Sequence, residues 1–311
     1  MLKVLFVCSR KTDSIVSPFI KSQAESLEKE GVEVTFFLIE KKGLIGYLQA
    51  SIKLRAILKK SKFDIVHAHY SLSGFVASLA GAKKIVVSLM GSDVIKKNGW
   101  SRLIPLFNSF FRWRRVIVKS REMEYKINLK NSVVIPNGVD FNRFYAMDKN
   151  EARLKLNFEI NQEIILFNGH KNNFIKNYQL AEKVIDSLNR KITLIELKSI
   201  PHEMLYLYFN ACDLLLSTSK WEGSPNIIKE AMACNTPIVA TQVGDIPFLF
   251  GENSGNFFSD FNVENLSEKV IYLLRNINLR HSNQGRNRLT ELKLESHQIA
   301  SRIFEIYKSC K

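Results

Sequence analysis

The chain has 311 residues, of which 46% are hydrophobic and 11% aromatic, a composition that excludes a disordered or fibrous protein. Its length suggests about two domains, and its formal net charge is +15. Four widely separated cysteines without a C-x-x-C pair argue against a disulfide framework or a zinc site and indicate a reducing compartment.

The positive charge is concentrated in the first half of the chain. Residues 1–150 contain 26 Lys and Arg against 12 Asp and Glu, whereas residues 151–311 contain 19 against 18. Such a basic half is typical of a protein that meets nucleic acid or an anionic membrane. Because no apolar stretch is long enough to span a membrane and no secretory signal is recognisable, we expect a cytoplasmic protein or one on the membrane surface.

In the first half, short apolar runs alternate with longer amphipathic segments. Val4–Val7 predicts a buried strand, and Ser17 followed by Pro18 predicts the start of a helix that ends before Gly31. The next predicted elements are the strand Val32–Leu38, the helix Leu48–Lys60, the strand Ile65–Ala68, a helix rich in small residues, the strand Ile85–Leu89 and a strand at 133–135. Alternation of this kind indicates parallel strands covered on both faces.

The pattern restarts at Ile164–Phe167, after the polar stretch Asp148–Arg153, where we place a domain boundary. The elements predicted after this restart are a helix at 178–189, strands at Thr193–Leu197 and Leu214–Ser217, a helix at 225–233, the strand Ile238–Thr241 and the helix Ser296–Ser309. The predicted fold class is α/β, with two doubly wound Rossmann-like domains that face a central cleft. We expect domains at 1–148 and 149–295, with the helix at about 296–311 packed back on the first.

The most informative segment runs from Trp221 to Cys234. Gly223 to Asn226 expose backbone N–H groups at the start of a predicted helix, which is an anion site. Glu222 lies just before this start and Glu230 about one and a half turns into the helix, so two carboxylates can address the vicinal hydroxyls of one elongated ligand. The alternative is that Glu222 only stabilises the helix dipole and Glu230 lies on a solvated face.

This segment, E-G-S-P-N-x-x-K-E-A-M-A-C, resembles the E-x7-E motif of the retaining glycosyltransferases of family 4, which have the GT-B fold. Four other segments resemble motifs of that family, in the family's order, over about residues 1–260. They are Asp64–Tyr70 (D-I-V-H-x-H), Ser88–Asp93 (S-x-H-G-S-D), Ile135–Asp140 (I-P-N-G-V-D) and Thr241–Pro247 (V-G-D-x-x-E).

The resemblance implies that a nucleotide-diphosphate sugar binds mainly to the second domain. Glu230 would bind the ribose hydroxyls, Glu222 would contact the transferred sugar as a catalytic residue, and Lys176 would offset the charge of the diphosphate. His170 stands where the family usually has Arg, with Lys171 beside it as a substitute cation. The remaining donor-binding candidates are Gly223, Ser224, Pro225, Asn226 and Ile227. Since the chain has no D-x-D motif, we expect neither a metal nor a cofactor besides the substrate.

The acceptor side departs further from the family. Met90 stands where many members have His in the S-x-H-G turn, so His69 is the candidate catalytic histidine, and the alternative is a packed histidine at a strand end. The candidates on the acceptor side are Ser9, Ser92 and Asp93. The family's Gly-Gly loop after the first strand is replaced here by Ser9-Arg10-Lys11-Thr12.

In the family the first domain binds the acceptor, and here it carries the basic excess. The segment Leu103–Arg115 places aromatic residues beside arginines, and a second basic cluster consists of Lys53, Arg55, Lys59, Lys60 and Lys62. We interpret residues 1–148 as a surface for an anionic membrane on the inner face of the cell membrane. The alternative is that Phe107, Phe110 and Phe111 belong to the core. The expected acceptor is a lipid-linked or other saccharide in capsule, exopolysaccharide or O-antigen assembly, attacked on the face that the nucleotide leaves.

Three competing functions remain. A nucleotide-sugar epimerase with the GT-B fold would use water in place of the acceptor, which the setting of the E-x7-E motif disfavours. A nucleic-acid-binding protein would leave Glu222, Glu230 and Lys176 unexplained, and no nucleic-acid-binding module is recognisable. A nicotinamide enzyme is weaker still, because no G-x-G-x-x-G follows either first strand.

Overall fold

The structure is a computed structural model that describes residues 1–10, 16–41, 43–95, 102–252, 254–276 and 283–310. Its contacts divide the chain into two compact units. The first consists of Met1–Gly138 together with Ser296–Lys311, and the second of Val139–Glu295. This division precedes the polar stretch at which the sequence suggested a boundary.

The first unit contains a parallel sheet. Within the described residues its strands are β1 (Leu2–Ser9), β2 (Val32–Ile39), β3 (Ile65–His69), β4 (Ile85–Ser88), β5 (Arg115–Val118) and β6 (Ser132–Val134). They lie in the order β2-β1-β3-β4-β5-β6. Strands β3 and β4 are buried along their whole length, so neither shows the alternation of a half-exposed strand: β4 is apolar up to Ser88, and β3 carries His67 and His69 in the interior.

The helices described in the first unit are α1 (Pro18–Lys29), α2 (Gly43–Lys60), α3 (Ser71–Leu79), α4 (Ser92–Ile95), α5 (Ile104–Phe111), α6 (Arg121–Ile127) and, at the carboxyl end of the chain, α14 (Ser296–Ser309). Helices α2, α3 and α5 supply residues to the hydrophobic core of the sheet. Helix α14 packs on α1, where the Ser301 hydroxyl donates to Oε1 of Glu30 at 2.8 Å.

The second unit also contains a parallel sheet. Its described strands are β7 (Glu163–Phe167), β8 (Ile192–Glu196), β9 (Leu214–Ser217), β10 (Ile238–Thr241) and β11 (Phe257–Ser259), in the order β11-β10-β9-β7-β8. Its described helices are α7 (Lys149–Lys155), α8 (Tyr178–Ser187), α9 (Leu205–Ala211), α10 (Asn226–Ala233), α11 (Ile246–Phe250), α12 (Val263–Arg275) and α13 (Gly285–Glu291). The predicted fold class, two doubly wound parallel sheets, is confirmed.

The polar stretch from Asp148 to Arg153 is part of a helix. Asp148 caps α7, because its side chain accepts the N–H groups of Asn150 and Glu151 at 2.9 and 3.0 Å. Arg153 is 1% exposed and donates to the carbonyl of Ala211 at 2.8 Å. Arg153 also forms an ion pair with Asp213, at 3.1 Å between Nη2 and Oδ2. The stretch is polar because its first four residues are wholly or partly exposed and its buried arginine has both a charged partner and carbonyl acceptors.

Two further features concern the chain as a whole. All four cysteines are buried, and none of them forms a disulfide. Among the residues that the structure describes, no helix has the combination of length and apolar character that a membrane span requires.

Candidate functional site

The strand order of the second sheet reverses between β7 and β9. Ligands of open α/β sheets bind beyond the carboxyl ends of the strands at such a switch point. Two loops leave the sheet there, residues 168–177 after β7 and residues 218–225 after β9. Lys176 lies in the first loop and Glu222 in the second, and α10 begins at Asn226 directly after it. We therefore identify this switch point as the candidate site.

The start of α10 has the character of an anion site. Pro225 occupies the N-cap position in an extended conformation, with φ −70° and ψ 118°, and makes no side-chain cap. A proline cannot place an oxygen over the first turn, as Ser or Asp would, so the positive end of the helix dipole remains for a ligand. Gly223 and Ser224 form the preceding turn, and Ile227 lies in the first turn of the helix.

Lys176 and Glu222 form an ion pair across the two loops. The Nζ atom of Lys176 lies 2.6 Å from Oε1 of Glu222, and the two side chains are only 20% and 15% exposed. The Ser219 hydroxyl donates to the same Oε1 at 2.8 Å. On the other side, Oδ1 of Asn168 accepts from Lys176 at 3.4 Å, and the Asn168 amide donates to Ser217 at 2.8 Å. The pair is thus held by polar residues at the ends of both strands.

Two glycines let the backbone approach this pair closely. Gly169 has φ +150°, and a Cβ atom there would lie 2.5 Å from Cγ of Lys176. Gly244 has φ +58°, and a Cβ atom there would lie 2.5 Å from the carbonyl oxygen of Glu222. Both backbone conformations favour glycine. A side chain at either position would also clash with Lys176 or with the backbone of Glu222, and would therefore displace one partner of the ion pair.

A buried charged pair lies beneath the second loop. Lys229 is 0% exposed, and its Nζ donates to the Ser224 hydroxyl at 3.2 Å. Burial lowers the pKa of Lys229 to about 8, although the charges of Asp245 and Glu230 oppose this shift. Burial raises the pKa of Asp245 to about 6, against the opposing charge of Lys229. The Asp245 N–H also donates to the carbonyl of Gly223 at 3.2 Å, which ties this loop to the one after β10.

Glu230 is buried and paired with a histidine. It lies on α10 and is 8% exposed, which excludes the alternative of a solvated face. His202, the first residue of the 3-10 turn before α9, places Nε2 at 2.9 Å from Oε1 of Glu230. The imidazole packs edge-on against Phe144, with ring centroids 5.6 Å apart.

His170 is held by β8. Its Nε2 lies 3.9 Å from Oε2 of Glu196, and its Nδ1 accepts the N–H of Asn172 at 3.1 Å. The N–H of Lys171 donates to the same Glu196 oxygen at 2.7 Å, while the Lys171 side chain is exposed. A part for His170 or Lys171 in donor binding stays a prediction.

In the first unit, His69 ends β3 and is fully buried. Its ring lies 4.4 Å from that of His67 and 4.7 Å from that of Phe6, measured between centroids. Neither ring nitrogen of His69 has a hydrogen-bond partner among the residues that the structure describes. Burial, followed by the charges of His67 and Lys119, lowers the pKa of His69 well below its ordinary value. This packing matches the strand-end alternative, and a catalytic part for His69 stays a prediction.

Asp93 joins the loops after β3 and β4. Its Oδ1 accepts the N–H of Met90 at 2.9 Å and its Oδ2 accepts the N–H of Ser71 at 3.0 Å. Burial raises its pKa, although these two bonds oppose the shift. Ser92 begins α4 and Ser9 ends β1, and both are partly exposed. Of the loop that replaces the family's Gly-Gly, Lys11 and Thr12 lie outside the described residues.

Five residues of the candidate site have no assigned part in the sequence analysis: Asn168, His202, Ser219, Lys229 and Asp245. Asn168 and Ser219 had a usable signal, because both are polar residues just beyond the carboxyl end of a predicted strand. Lys229 and Glu230 are the two charged residues of α10, whose other residues after Asn226 are apolar, and this contrast was a usable signal for Lys229. The pairing of His202 with Glu230 joins residues 28 positions apart and has no local signal.

Two family models match the chain, one in each half. The model described as glycosyl transferases group 1 matches residues 149–288, and the model described as glycosyl transferase 4-like matches residues 13–120. The glycosyltransferase TuaC of Bacillus subtilis (strain 168), which is assigned by name to teichuronic acid biosynthesis, is 26% identical over 252 residues. The matched region is 71% of this chain and 64% of TuaC.

Solved structures share the fold. A sucrose-phosphate synthase from Thermosynechococcus elongatus has a TM-score of 0.79 at 16% identity, over 99% of both chains. Anabaena HepE in complex with UDP-glucose has a TM-score of 0.78 at 16% identity, over 99% of this chain and 100% of HepE. With two Rossmann-like parallel sheets and a glycosyltransferase model matched in each half, the chain is a glycosyltransferase with the GT-B fold, and its residues 149–288 match the group 1 family.

Proposed function

We propose that the protein transfers a hexose from a nucleotide-diphosphate sugar to a saccharide acceptor with retention of configuration. The observation that carries the proposal is the ion pair of Lys176 and Glu222 beside the start of α10. A diphosphate needs positive charge, which Lys176 and the helix start supply. The hydroxyls of the transferred sugar need an acceptor, which is Glu222, and the ribose hydroxyls need another, which is Glu230. HepE, which shares the fold, was solved with such a donor, UDP-glucose.

The same geometry supports a transfer without a covalent intermediate. Oε1 of Glu222 accepts hydrogen bonds from Lys176 and Ser219, an arrangement that suits an acceptor of substrate hydroxyl bonds better than a nucleophile. As the sugar–phosphate bond breaks, negative charge develops on the leaving phosphate, which Lys176 stabilises. The acceptor hydroxyl attacks the sugar on the face that the nucleotide leaves. The departing phosphate takes the proton of that hydroxyl. Because the chain itself supplies the cation, we propose that transfer needs no divalent metal.

Donor binding is tested by thermal shift with UDP-, GDP- and ADP-sugars in the presence of EDTA. One nucleotide series is expected to raise Tm by about 5 °C or more at saturation, since a ligand at a hundred times its Kd stabilises by about 2.7 kcal/mol. A protein that responds to no nucleotide sugar, or only after a divalent metal is added, would contradict the proposal. Release of free nucleotide and an epimerised sugar without an acceptor would instead identify the epimerase.

We propose that the acceptor is lipid-linked and is reached at an anionic membrane surface through the first unit. Four exposed apolar residues of α2, Leu44, Ile45, Leu48 and Ile52, are 70, 73, 46 and 72% exposed, whereas Ile57, at 37%, lies on another side of the helix. At about 100° per residue these four lie within about 100° of arc, so they form one face, which Arg55 and Lys59 continue. An apolar face that ends in basic residues suits insertion between anionic headgroups. The relationship to TuaC, named for teichuronic acid biosynthesis, supports surface polysaccharide assembly.

The aromatic segment before β5 divides between core and surface. Phe107 and Phe111 pack against the hydrophobic core, and Trp113 is 2% exposed with its indole N–H donating to Ser78. Phe110, in contrast, is 81% exposed. The interpretation of the whole segment as a membrane contact is therefore too broad, and α2 with Phe110 is the surface that we propose.

Vesicle co-sedimentation tests this surface. At low salt the protein is expected to bind phosphatidylglycerol-containing vesicles, and Ile45→Ser/Ile52→Ser should lower the partition coefficient at least about tenfold, because two inserted isoleucines are lost. Leu154→Ser, at an equally exposed leucine on α7, is the matched control and should bind as the wild type does. Binding that is equal for neutral phosphatidylcholine vesicles, or absent for both, would exclude the membrane surface.

A further inference from the structure

The side chain of His202 contacts Glu230, the residue to which the proposed function assigns the ribose. Its Nε2 lies 2.9 Å from Oε1 of Glu230, and its ring is packed edge-on against Phe144. Three parts of the second unit therefore meet at the His202 side chain: the segment before α7, the turn before α9, and α10. The carboxylate is only 10% exposed, so its surroundings restrict its orientation.

The chemistry of the contact fixes the direction of the hydrogen bond. An ionised carboxylate only accepts, so His202 donates through its Nε2–H. Nδ1 of His202 is buried and, within the described parts of the chain, has no hydrogen-bond partner. The ring therefore holds Glu230 through a single nitrogen and occupies one site on Oε1. The other oxygen of the carboxylate is not used by this bond.

We propose that His202 is a positioning residue for the donor: it fixes the carboxylate of Glu230 in the plane that receives the two ribose hydroxyls. This inference rests on the proposed function, because it takes Glu230 as the ribose-binding residue. A cis-diol donates to both oxygens of one carboxylate only when the carboxylate is correctly oriented. Ordering a mobile glutamate on binding costs conformational entropy. Because His202 orders Glu230 beforehand, the nucleotide does not bear that cost.

The experiment compares a nucleoside diphosphate with its 2′,3′-dideoxy analogue, which lacks both hydroxyls. The probes are whichever of UDP, GDP and ADP binds the wild type, and the matching dideoxynucleoside diphosphate, with Kd measured by calorimetry. His202→Phe keeps a ring against Phe144 but has no donor, whereas the amide of His202→Gln can replace the Nε2–H. Glu203→Gln, at an exposed neighbour on the same turn, is the control and should match the wild type.

The wild type is expected to bind the ribonucleotide at least about tenfold more tightly than the dideoxy analogue, as hydrogen bonds to a charged group imply. His202→Phe should weaken ribonucleotide binding about tenfold and leave dideoxynucleotide binding unchanged, and His202→Gln should keep most of the preference. Equal weakening of both probes by His202→Phe, or no weakening of either, would overturn the positioning role alone. A wild type that binds both probes equally would instead overturn the ribose assignment of Glu230, and the positioning role with it.

If His202→Phe does not fold, a comparison of His202→Asn with His202→Gln tests the positioning role instead. The amide of His202→Asn occupies the place of Nδ1 rather than Nε2, so this variant should lose the preference for ribose that His202→Gln keeps. The same preference in both polar variants would contradict a role that depends on the bond from Nε2.

Discussion

Replacement of Lys176 by methionine is expected to lower the rate of sugar transfer by about two to three orders of magnitude, which is the usual effect of removing one group that stabilises developing negative charge. Binding of the nucleoside diphosphate should weaken as well, because the diphosphate loses its cation. The fold should persist, since methionine keeps the length of the aliphatic chain that passes Gly169. Steady-state kinetics and calorimetry measure the two effects separately.

Replacement of Glu222 by glutamine is expected to have the opposite effect on nucleotide binding. In the free protein the carboxylate of Glu222 neutralises Lys176 at 2.6 Å, so a bound diphosphate competes with it for the same ammonium group. Glutamine removes the competing charge with little change in shape. Nucleoside diphosphate binding should therefore stay equal or become tighter, while transfer falls at least about a hundredfold because the sugar loses a charged hydrogen-bond acceptor.

The different effects of Lys176→Met and Glu222→Gln on nucleoside diphosphate binding distinguish a donor-binding pair from a salt bridge that only stabilises the fold. If the pair only stabilised the fold, both variants would lower stability and weaken nucleotide binding together. Lys183→Met, at an exposed lysine on α8 in the same unit, is the matched control and should change neither quantity. Weaker nucleotide binding in Glu222→Gln, or normal transfer in Lys176→Met, would be incompatible with the roles assigned here.

The sequence predicts the sheets well because their strands are buried and apolar. Leu214–Ser217 and Ile238–Thr241 have the predicted bounds, as does the helix Ser296–Ser309. Strand β5 was not predicted, because Arg115 at its start and the aromatic residues before it suggested a membrane contact. Helix α7 was missed because its first turn is polar and its buried Arg153 pairs with Asp213 and donates to the carbonyl of Ala211, which are contacts with residues about 60 positions away that no local pattern reveals.

The residues of the candidate site were predictable where they belong to motifs that the sequence places at a strand end or a helix start. Glu222, Lys176 and Glu230 come from motifs at strand ends and a helix start, and topology alone brings the first two to one switch point. Of the residues that hold them, Asn168 and Ser219 were open to prediction as polar residues just beyond predicted strands. His202 was not predictable, because its contact with Glu230 joins separate elements. The burial of Lys229 was also not predicted, because the sequence of α10 does not show whether this lysine faces solvent or the interior.

The double replacement Lys229→Met/Asp245→Asn is expected to raise the free energy of unfolding by about 1–4 kcal/mol at pH 7, because both charged groups lose hydration on folding and the attraction between them does not offset that loss. Burial lowers the pKa of Lys229 from 10.5 to about 8, so the stability linked to this group is present above pH 10.5 and is lost as the pH falls to 8. Burial raises the pKa of Asp245 from 3.8 to about 6, so its stability is present below pH 3.8 and is lost as the pH rises to 6. Between about pH 6 and 8 both groups are therefore charged in the folded protein, and the burial of each charge lowers the free energy of unfolding there.

Urea unfolding at pH 4, 7 and 9.5 checks this prediction. The stability advantage of the double variant should be largest at pH 7 and smaller at both other values, because one group of the wild-type pair is then wholly or partly neutral. The matched control is Lys155→Met/Glu151→Gln, which removes an exposed pair on α7 in the same unit and should change stability by less than about 0.5 kcal/mol at each pH. A double variant that is less stable than the wild type at pH 7 would contradict the cost assigned to the buried pair.

Nucleotide binding by the same double variant shows why such a costly pair is present. Lys229 donates to the Ser224 hydroxyl, and the carboxylate of Asp245 is hydrogen-bonded to the side chain of the same serine, so the two charges hold the turn that precedes α10. Without these charges the turn should be less well ordered, and nucleoside diphosphate binding should weaken about tenfold in a protein that is more stable. Stability and binding would then change in opposite directions, as expected where a strained or costly arrangement serves a binding site. If the stabilised variant binds nucleotide as tightly as the wild type, the pair does not position the donor loop.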